Sequence, residues 1–228
     1  MKKTDSFTHP LPGFGGQYNT QSWAGYQHLQ VRTPEDRSDL RHIGDDYNGP
    51  GGGDSDLGMR IEAVAPGIVE KVIKWNGNYG FGNHVFIRHE LTKELQAAIK
   101  NYCGVDSPIL YSHYAHCNEI LVPEGMEVDK GQLIAYVGKT GTTYAHCHCD
   151  IRKPTGRGYE DYPSLIKGNE WVTNYYIAPF PLIESFKTID QYMPKPTPPA
   201  PVPPQKTALD FILIAEQAIS EAKKLLPK

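Results

Sequence analysis

The 228-residue chain lacks a long apolar run, a strong charge of either sign and a dense cysteine framework. No stretch is long and apolar enough to span a bilayer as a helix, so no transmembrane segment is expected. A formal net charge of -3 provides no basic surface, and nucleic acid is not an expected partner. The start, Met1-Lys2-Lys3-Thr4-Asp5-Ser6-Phe7, has two lysines with no apolar region behind them, so no secretory signal peptide is expected. The four cysteines, Cys103, Cys117, Cys147 and Cys149, do not have C-x-x-C spacing. Cys147 and Cys149 alternate with His146 and His148, which predicts that they face away from those histidines as small buried hydrophobes. A Cys103–Cys117 disulfide would bracket His113, and a reducing cytoplasm argues against it.

What is present points to β structure. The apolar fraction is 39%, enough for a core, and 14 tyrosines suit sheet packing and polar grooves. Residues 10–193 read as one all-β domain. Residues 68–73, 84–87 and 133–137 are strand-like and lie between glycine-rich turns. Leu91, Leu95 and Ile99 fall at helical spacing, which predicts a short insertion helix over residues 91–102. Residues 48–56, Asn-Gly-Pro-Gly-Gly-Gly-Asp-Ser-Asp, predict a flexible loop bordering a groove. Asp54 and Asp56 lack the rest of a calcium loop and read as solvated. Residues 195–204 form a proline-rich spacer. Beyond it, Ile212, Ile219 and Leu226 mark one face of an amphipathic helix, expected to dock on the core or self-associate. The expected organisation is a domain at 1–193, a linker at 194–205 and a C-terminal helix at 206–228.

Two motifs carry chemistry. His42-Ile43-Gly44-Asp45-Asp46 places a histidine and a carboxylate four residues apart, with a glycine between them to let the backbone turn. His146-Cys147-His148 puts two imidazoles on one face of a strand. Zinc takes nitrogen and oxygen ligands, and a catalytic site keeps three protein ligands and one open position. His42, Asp46 and one histidine of the later pair supply three, and the other histidine is left beside the metal.

These residues resemble the lysostaphin-type (LytM-type) zinc endopeptidases, which cut peptide cross-links in bacterial peptidoglycan. The family pattern H-x-G-x-D, Y-x-H, H-x-H reads here as His42-x-Gly44-x-Asp46, Tyr111-Ser112-His113 and His146-Cys147-His148. Residues 63–69 resemble the family's strand after the first motif, residues 80–89 its next hairpin, and residues 128–141 the stretch leading into H-x-H. The resemblance covers residues 10–182. It implies a LytM-type antiparallel β core with a groove-borne zinc site. It further implies His42, Asp46 and His148 as zinc ligands and His113 and His146 as the catalytic pair. Two imidazoles and one carboxylate keep a net positive charge on such a site, which favours Lewis-acid chemistry. Either catalytic histidine can take the proton from the attacking water.

His116, three residues after His113, competes with it, and the Y-x-H match favours His113. Asp45 competes with Asp46, and the four-residue offset favours Asp46. Asp150 either orients a histidine from behind or caps a strand end. His9, His28, His84 and His89 have no motif support and read as structural or surface residues. The implied function is peptidoglycan endopeptidase, with a cross-linked wall peptide as substrate. Without a signal peptide, a phage-endolysin-like route is expected: host cytoplasm, then release to the wall. The competing classes are an inactive relative that binds or regulates wall enzymes, and a virion structural component.

Overall fold

The computed structural model describes residues 1–11, 40–49, 51, 53–77, 80–155, 165–167 and 170–187. These lie within the unit Met1–Asp190. The expected linker, the C-terminal helix and His28 lie outside the described residues. The elements run β1 (Leu40–His42), β2 (Asp45–Tyr47), β3 (Arg60–Glu62), β4 (Gly67–Ile73), β5 (Asn83–Glu90), α1 (Lys93–Cys103), β6 (Ile109–Cys117), β7 (Glu119–Ile120), β8 (Glu127–Val128), β9 (Leu133–Tyr136), β10 (Cys147–Arg152), β11 (Leu165–Lys167), α2 (Glu170–Tyr175), β12 (Tyr176–Ile177) and α3 (Pro179–Phe186). The main sheet is antiparallel, in the order β12-β10-β6-β5-β4-β8, with β2 also pairing β10. Strands β3, β9 and β7 form a second sheet, and β1 pairs β11. The expected all-β architecture is therefore present.

The insertion helix forms for local reasons. The Thr92 side chain accepts from the Leu95 N–H at its start, and Gly104, at φ 78°, ends it by donating to the Lys100 carbonyl. Leu95 and Ile99 are its buried face, four residues apart. Two further helices, α2 and α3, have no counterpart in the sequence reading. Pro179 sits in the first turn of α3, where its missing N–H costs nothing, and Leu182 and Ile183 enter the core.

Residues 63–69 are not one strand. The chain bends at residues 64–66, between β3 and β4. Pro66 cannot donate to a ladder, and a buried hydrogen-bonded chain holds the bend instead. His89 Nδ1 lies 2.8 Å from the Pro66 carbonyl, His89 Nε2 2.7 Å from Ser112 Oγ, Ser112 Oγ 2.9 Å from Tyr114 Oη, and the Val64 N–H donates to Tyr114 Oη at 2.8 Å. A carbonyl only accepts, so the proton belongs on His89 Nδ1. Ser112 then donates to His89 Nε2, and Tyr114 donates to Ser112. Burial pushes the His89 pKa down to about 4, against the bond to Pro66, and keeps the ring neutral.

All six residues of β10 are buried. Alternation sends Cys147, Cys149 and Ile151 into the apolar core with Tyr47 and Tyr114. All four cysteines are free, including Cys103 and Cys117. His148, Asp150 and Arg152 take the other face, and their neighbours make it the polar one.

Candidate metal centre

Strand β2 lies against β10 with Asp46 directly opposite His148. His42, at the end of β1, reaches the same point. His148 Nδ1 is 2.9 Å from His42 Nε2 and 3.0 Å from Asp46 Oδ1, and His42 Nε2 is 3.2 Å from Asp46 Oδ1. Ligand atoms about 2.0–2.1 Å from a common ion at tetrahedral angles lie roughly 3.3 Å apart, so these three donors fit one zinc ion. They form a group able to hold a metal. Asp45 is turned away and accepts from the Phe180 N–H at 2.9 Å, at the start of α3.

Gly44 makes the approach of the two motifs feasible. A Cβ there would sit 2.3 Å from the Cys149 carbonyl oxygen. The glycine is needed for close contact with β10, in addition to the turn that the sequence suggests.

The histidines beside this group separate into two environments. His146 Nδ1 lies 2.9 Å from the Tyr144 carbonyl, and His116 Nδ1 lies 2.9 Å from the Thr140 carbonyl. Both Nδ1 atoms therefore carry the proton, and both Nε2 atoms present lone pairs. The two rings are 4.4 Å apart, and His146 Nε2 is 3.6 Å from Asp46 Oδ1. The His116 ring is 6.3 Å from that of His148.

His113 stands on the Asp150 side of His148, its ring 5.8 Å from that of His148. Its ring stacks on Phe86 at 4.1 Å, its Nδ1 is 2.6 Å from Asp150 Oδ2, and its Nε2 is buried with no hydrogen-bond partner among the described residues. It is 1% exposed. The imidazole that lies against His146 is thus His116, while His113 lies against Asp150. A signal was available: Tyr114-Ala115-His116 is a second Y-x-H match, overlapping the first. Strict strand alternation argues against it, because His116 would share the core face with Ser112 and Tyr114. The backbone breaks that rule at His116, whose φ is 60°. A positive φ in a non-glycine residue costs energy and is held by its surroundings. Here the His116 N–H donates to the Phe81 carbonyl at 2.7 Å, and Gly138 packs so closely that a Cβ would lie 2.6 Å from the His116 carbonyl oxygen.

Charge in the cluster follows from burial and contact. Burial raises Asp46, but electrostatic attraction to His42 and His146 and the hydrogen bonds from His148 and His42 outweigh it and hold the carboxyl well below its usual range. Burial lowers His148, yet hydrogen bonds to Asp150 and Asp46 carry its pKa up to about 9. Burial pushes His113 down to about 4 despite its bond to Asp150. His116 is lowered well below its ordinary value, chiefly by burial and then by His146 and His148. His84 falls to about 3 through burial.

The loop after the first motif is tied to the site. Asp56 is 1% exposed and accepts from the Gly49 N–H at 3.1 Å. Asp54 accepts from Lys139 Nζ at 2.5 Å and from the Ala145 N–H at 2.9 Å, one residue before His146. The two carboxylates expected to be solvated thus anchor the loop, and Asp54 links it to the H-x-H strand.

Residues 52–161 match the model of Peptidase family M23. The match begins after His42 and Asp46, so their grouping with His148 rests on the geometry above. The chain is 33% identical over 123 residues to the murein hydrolase activator NlpD of Salmonella dublin, covering 53% of this chain and 28% of the relative. It is 36% identical over 95 residues to the protein of that name in Escherichia coli K12, covering 42% and 20%. It thus spans less than a third of the length of these relatives. Among solved structures, the catalytic domain of lysostaphin from Staphylococcus simulans is similar at 18% identity and a TM-score of 0.45, covering 70% of this chain and 90% of that one.

Proposed function

We propose that this chain, whose residues 52–161 match Peptidase family M23, is a zinc-dependent endopeptidase that hydrolyses peptide cross-links of bacterial peptidoglycan. One observation carries the reading: a three-donor set, His42, Asp46 and His148, stands beside two imidazoles, His116 and His146, whose Nδ1 protons are both tied to carbonyls. His42, Asp46 and His148 would hold a zinc ion, which would supply Lewis acidity at the scissile carbonyl and lower the pKa of the attacking water. The remaining chemistry belongs to the side chains. The Nε2 of one histidine takes the proton of that water. The other, once protonated, hydrogen-bonds the developing oxyanion or passes its proton to the leaving amine. In this reading His116 takes the role that the sequence motif assigns to His113.

The test uses the purified full chain, its zinc content and defined cross-linked muropeptides analysed by mass spectrometry. Products corresponding to one water added across the cross-link, with one zinc per chain, support the reading. A zinc-loaded chain that leaves every cross-link intact overturns it. The similarity to proteins named murein hydrolase activators favours a second reading, regulation of a separate wall hydrolase. Under it, the zinc-loaded chain cuts nothing itself and raises the rate of the partner hydrolase on whole sacculi.

A further inference from the structure

We propose that Asp150 and His113 form a positioning relay behind the metal site, in which Asp150 accepts a hydrogen bond from His148 Nε2–H and His113 holds Asp150 in place. The inference rests on the zinc reading above and deepens it. His148 and Asp150 are two residues apart on β10 and leave the same face of the sheet. His113, on β6, is directly opposite Asp150 in the register. Asp150 Oδ2 lies 3.3 Å from His148 Nε2 and 2.6 Å from His113 Nδ1. All three residues are 1% exposed, so water does not compete.

The direction of the relay follows from the chemistry of imidazole. His148 turns Nδ1 toward His42 and Asp46. A ring that ligates through Nδ1 must be neutral and carry its proton on Nε2. That proton points at Asp150 Oδ2, an acceptor. The same oxygen receives the His113 Nδ1 proton, so His113 must be the Nδ1-H tautomer. Its Nε2, buried without a hydrogen-bond partner among the described residues, then bears only a lone pair. Phe86, stacked on the ring at 4.1 Å, and Phe81, edge-on at 4.6 Å, leave His113 little room to turn. A ring held this way points Nδ1–H at the carboxylate. The carboxylate in turn fixes which face of His148 meets the ion. His113 and Asp150 touch neither substrate nor metal in this scheme and act through His148.

The experiment titrates Zn2+ against a chelating dye for wild type, Asp150→Asn, His113→Leu and His113→Asn. It also records the melting temperature of each zinc-free protein. Loss of an outer partner to a metal-bound histidine typically weakens metal binding about 10–100-fold, and that loss is expected for Asp150→Asn. His113→Leu, which removes the donor, is expected to weaken binding less. His113→Asn, whose side-chain amide nitrogen falls near the position of Nδ1, is expected to restore binding close to wild type. The double variant Asp150→Asn/His113→Leu should bind no more weakly than Asp150→Asn alone, because the second residue acts only through the first. If wild type binds no zinc, the zinc reading and the relay fall together. If wild type binds and Asp150→Asn binds equally well, the relay alone is overturned. A lower melting temperature with unchanged zinc affinity overturns it too, since it marks a purely structural pair. If Asp150→Asn does not fold, His113→Leu decides: an affinity equal to wild type overturns the relay.

Discussion

The two faces of the central sheet treat buried histidine in opposite ways, the core face through β5 and β6 and the site face through β2 and β10 with His42 of β1. On the core face, His89, Ser112 and Tyr114 form a closed chain that starts at the Val64 N–H and ends at the Pro66 carbonyl. Each side-chain donor in it has one acceptor, and the ring is locked neutral. On the site face, His42 Nε2, Asp46 Oδ1 and His148 Nδ1 converge at 2.9, 3.0 and 3.2 Å from one another, three potential ligand atoms at one point. A closed network serves stability. Three potential ligand atoms converging on one point suit a cation. Burial and polarity alone therefore do not distinguish the two faces, whereas the way their polar atoms are arranged does.

The largest effect separating the faces is expected from His42→Ala. Two donors remain on the site face, zinc is lost, and cross-link hydrolysis falls to background. Full zinc occupancy by elemental analysis in that variant breaks the assignment of the open face. Next comes His116→Ala, which should keep zinc and lose about 10²–10⁴ in turnover, the usual worth of a positioned proton carrier. His113→Ala should lose less activity, and the loss should track zinc affinity. If His113→Ala is dead with zinc bound while His116→Ala is active, the two histidines have been placed in the wrong roles.

The closed face predicts a pH effect. His89 has a folded pKa of about 4 against an ordinary value near 6.5. Between those values the unfolded chain binds a proton that the folded chain refuses, so stability falls as pH drops through this window. The contribution of His89 is about 3 kcal/mol at full extent. Urea unfolding of zinc-free protein at pH 7 and pH 4 measures it, and His89→Gln should show a correspondingly flatter dependence. An equal slope in both proteins removes His89 from the account. The smallest effect is expected from Tyr114→Phe, which orphans the buried Val64 N–H and should cost about 1–3 kcal/mol while leaving zinc affinity unchanged. A change in zinc affinity would show that the two faces are not independent.

Period-two alternation and motif spacing make much of this molecule readable in advance. The strands β4, β5 and β9, the helix α1 with Leu95 and Ile99 inward, and the turn of Cys147 and Cys149 into the core, away from the histidines, all follow from local pattern. The meeting of His42, Asp46 and His148 follows from two short motifs on paired strands. What escapes the pattern has tertiary causes. His116 reaches the site through one left-handed backbone step that alternation cannot foresee. The bend at residues 64–66 is held by Tyr114, fifty positions away in sequence. Asp54 reads as a loop carboxylate until Lys139 and Ala145 are seen to bind it. Short α3 depends on burying Leu182 and Ile183, and so on the core that it covers.

The run His146-Cys147-His148-Cys149 has a further consequence, for metal selectivity. Thiolates are soft ligands that favour cuprous and iron–sulfur chemistry, whereas an imidazole and carboxylate set suits a borderline ion. Two thiols flank His148 in the chain, yet the pleat of β10 turns both to the far side, where they are fully buried. Burial raises both thiol pKa values well above the ordinary range, so they stay protonated and chemically quiet. A slip of one residue in the pairing of β10 with β6 and β2 would exchange the faces and offer sulfur in place of nitrogen. The register of a single strand thus decides which donor atoms face His42 and Asp46, nitrogen rather than sulfur, and so sets the softness of the ligand set through backbone geometry before side-chain chemistry.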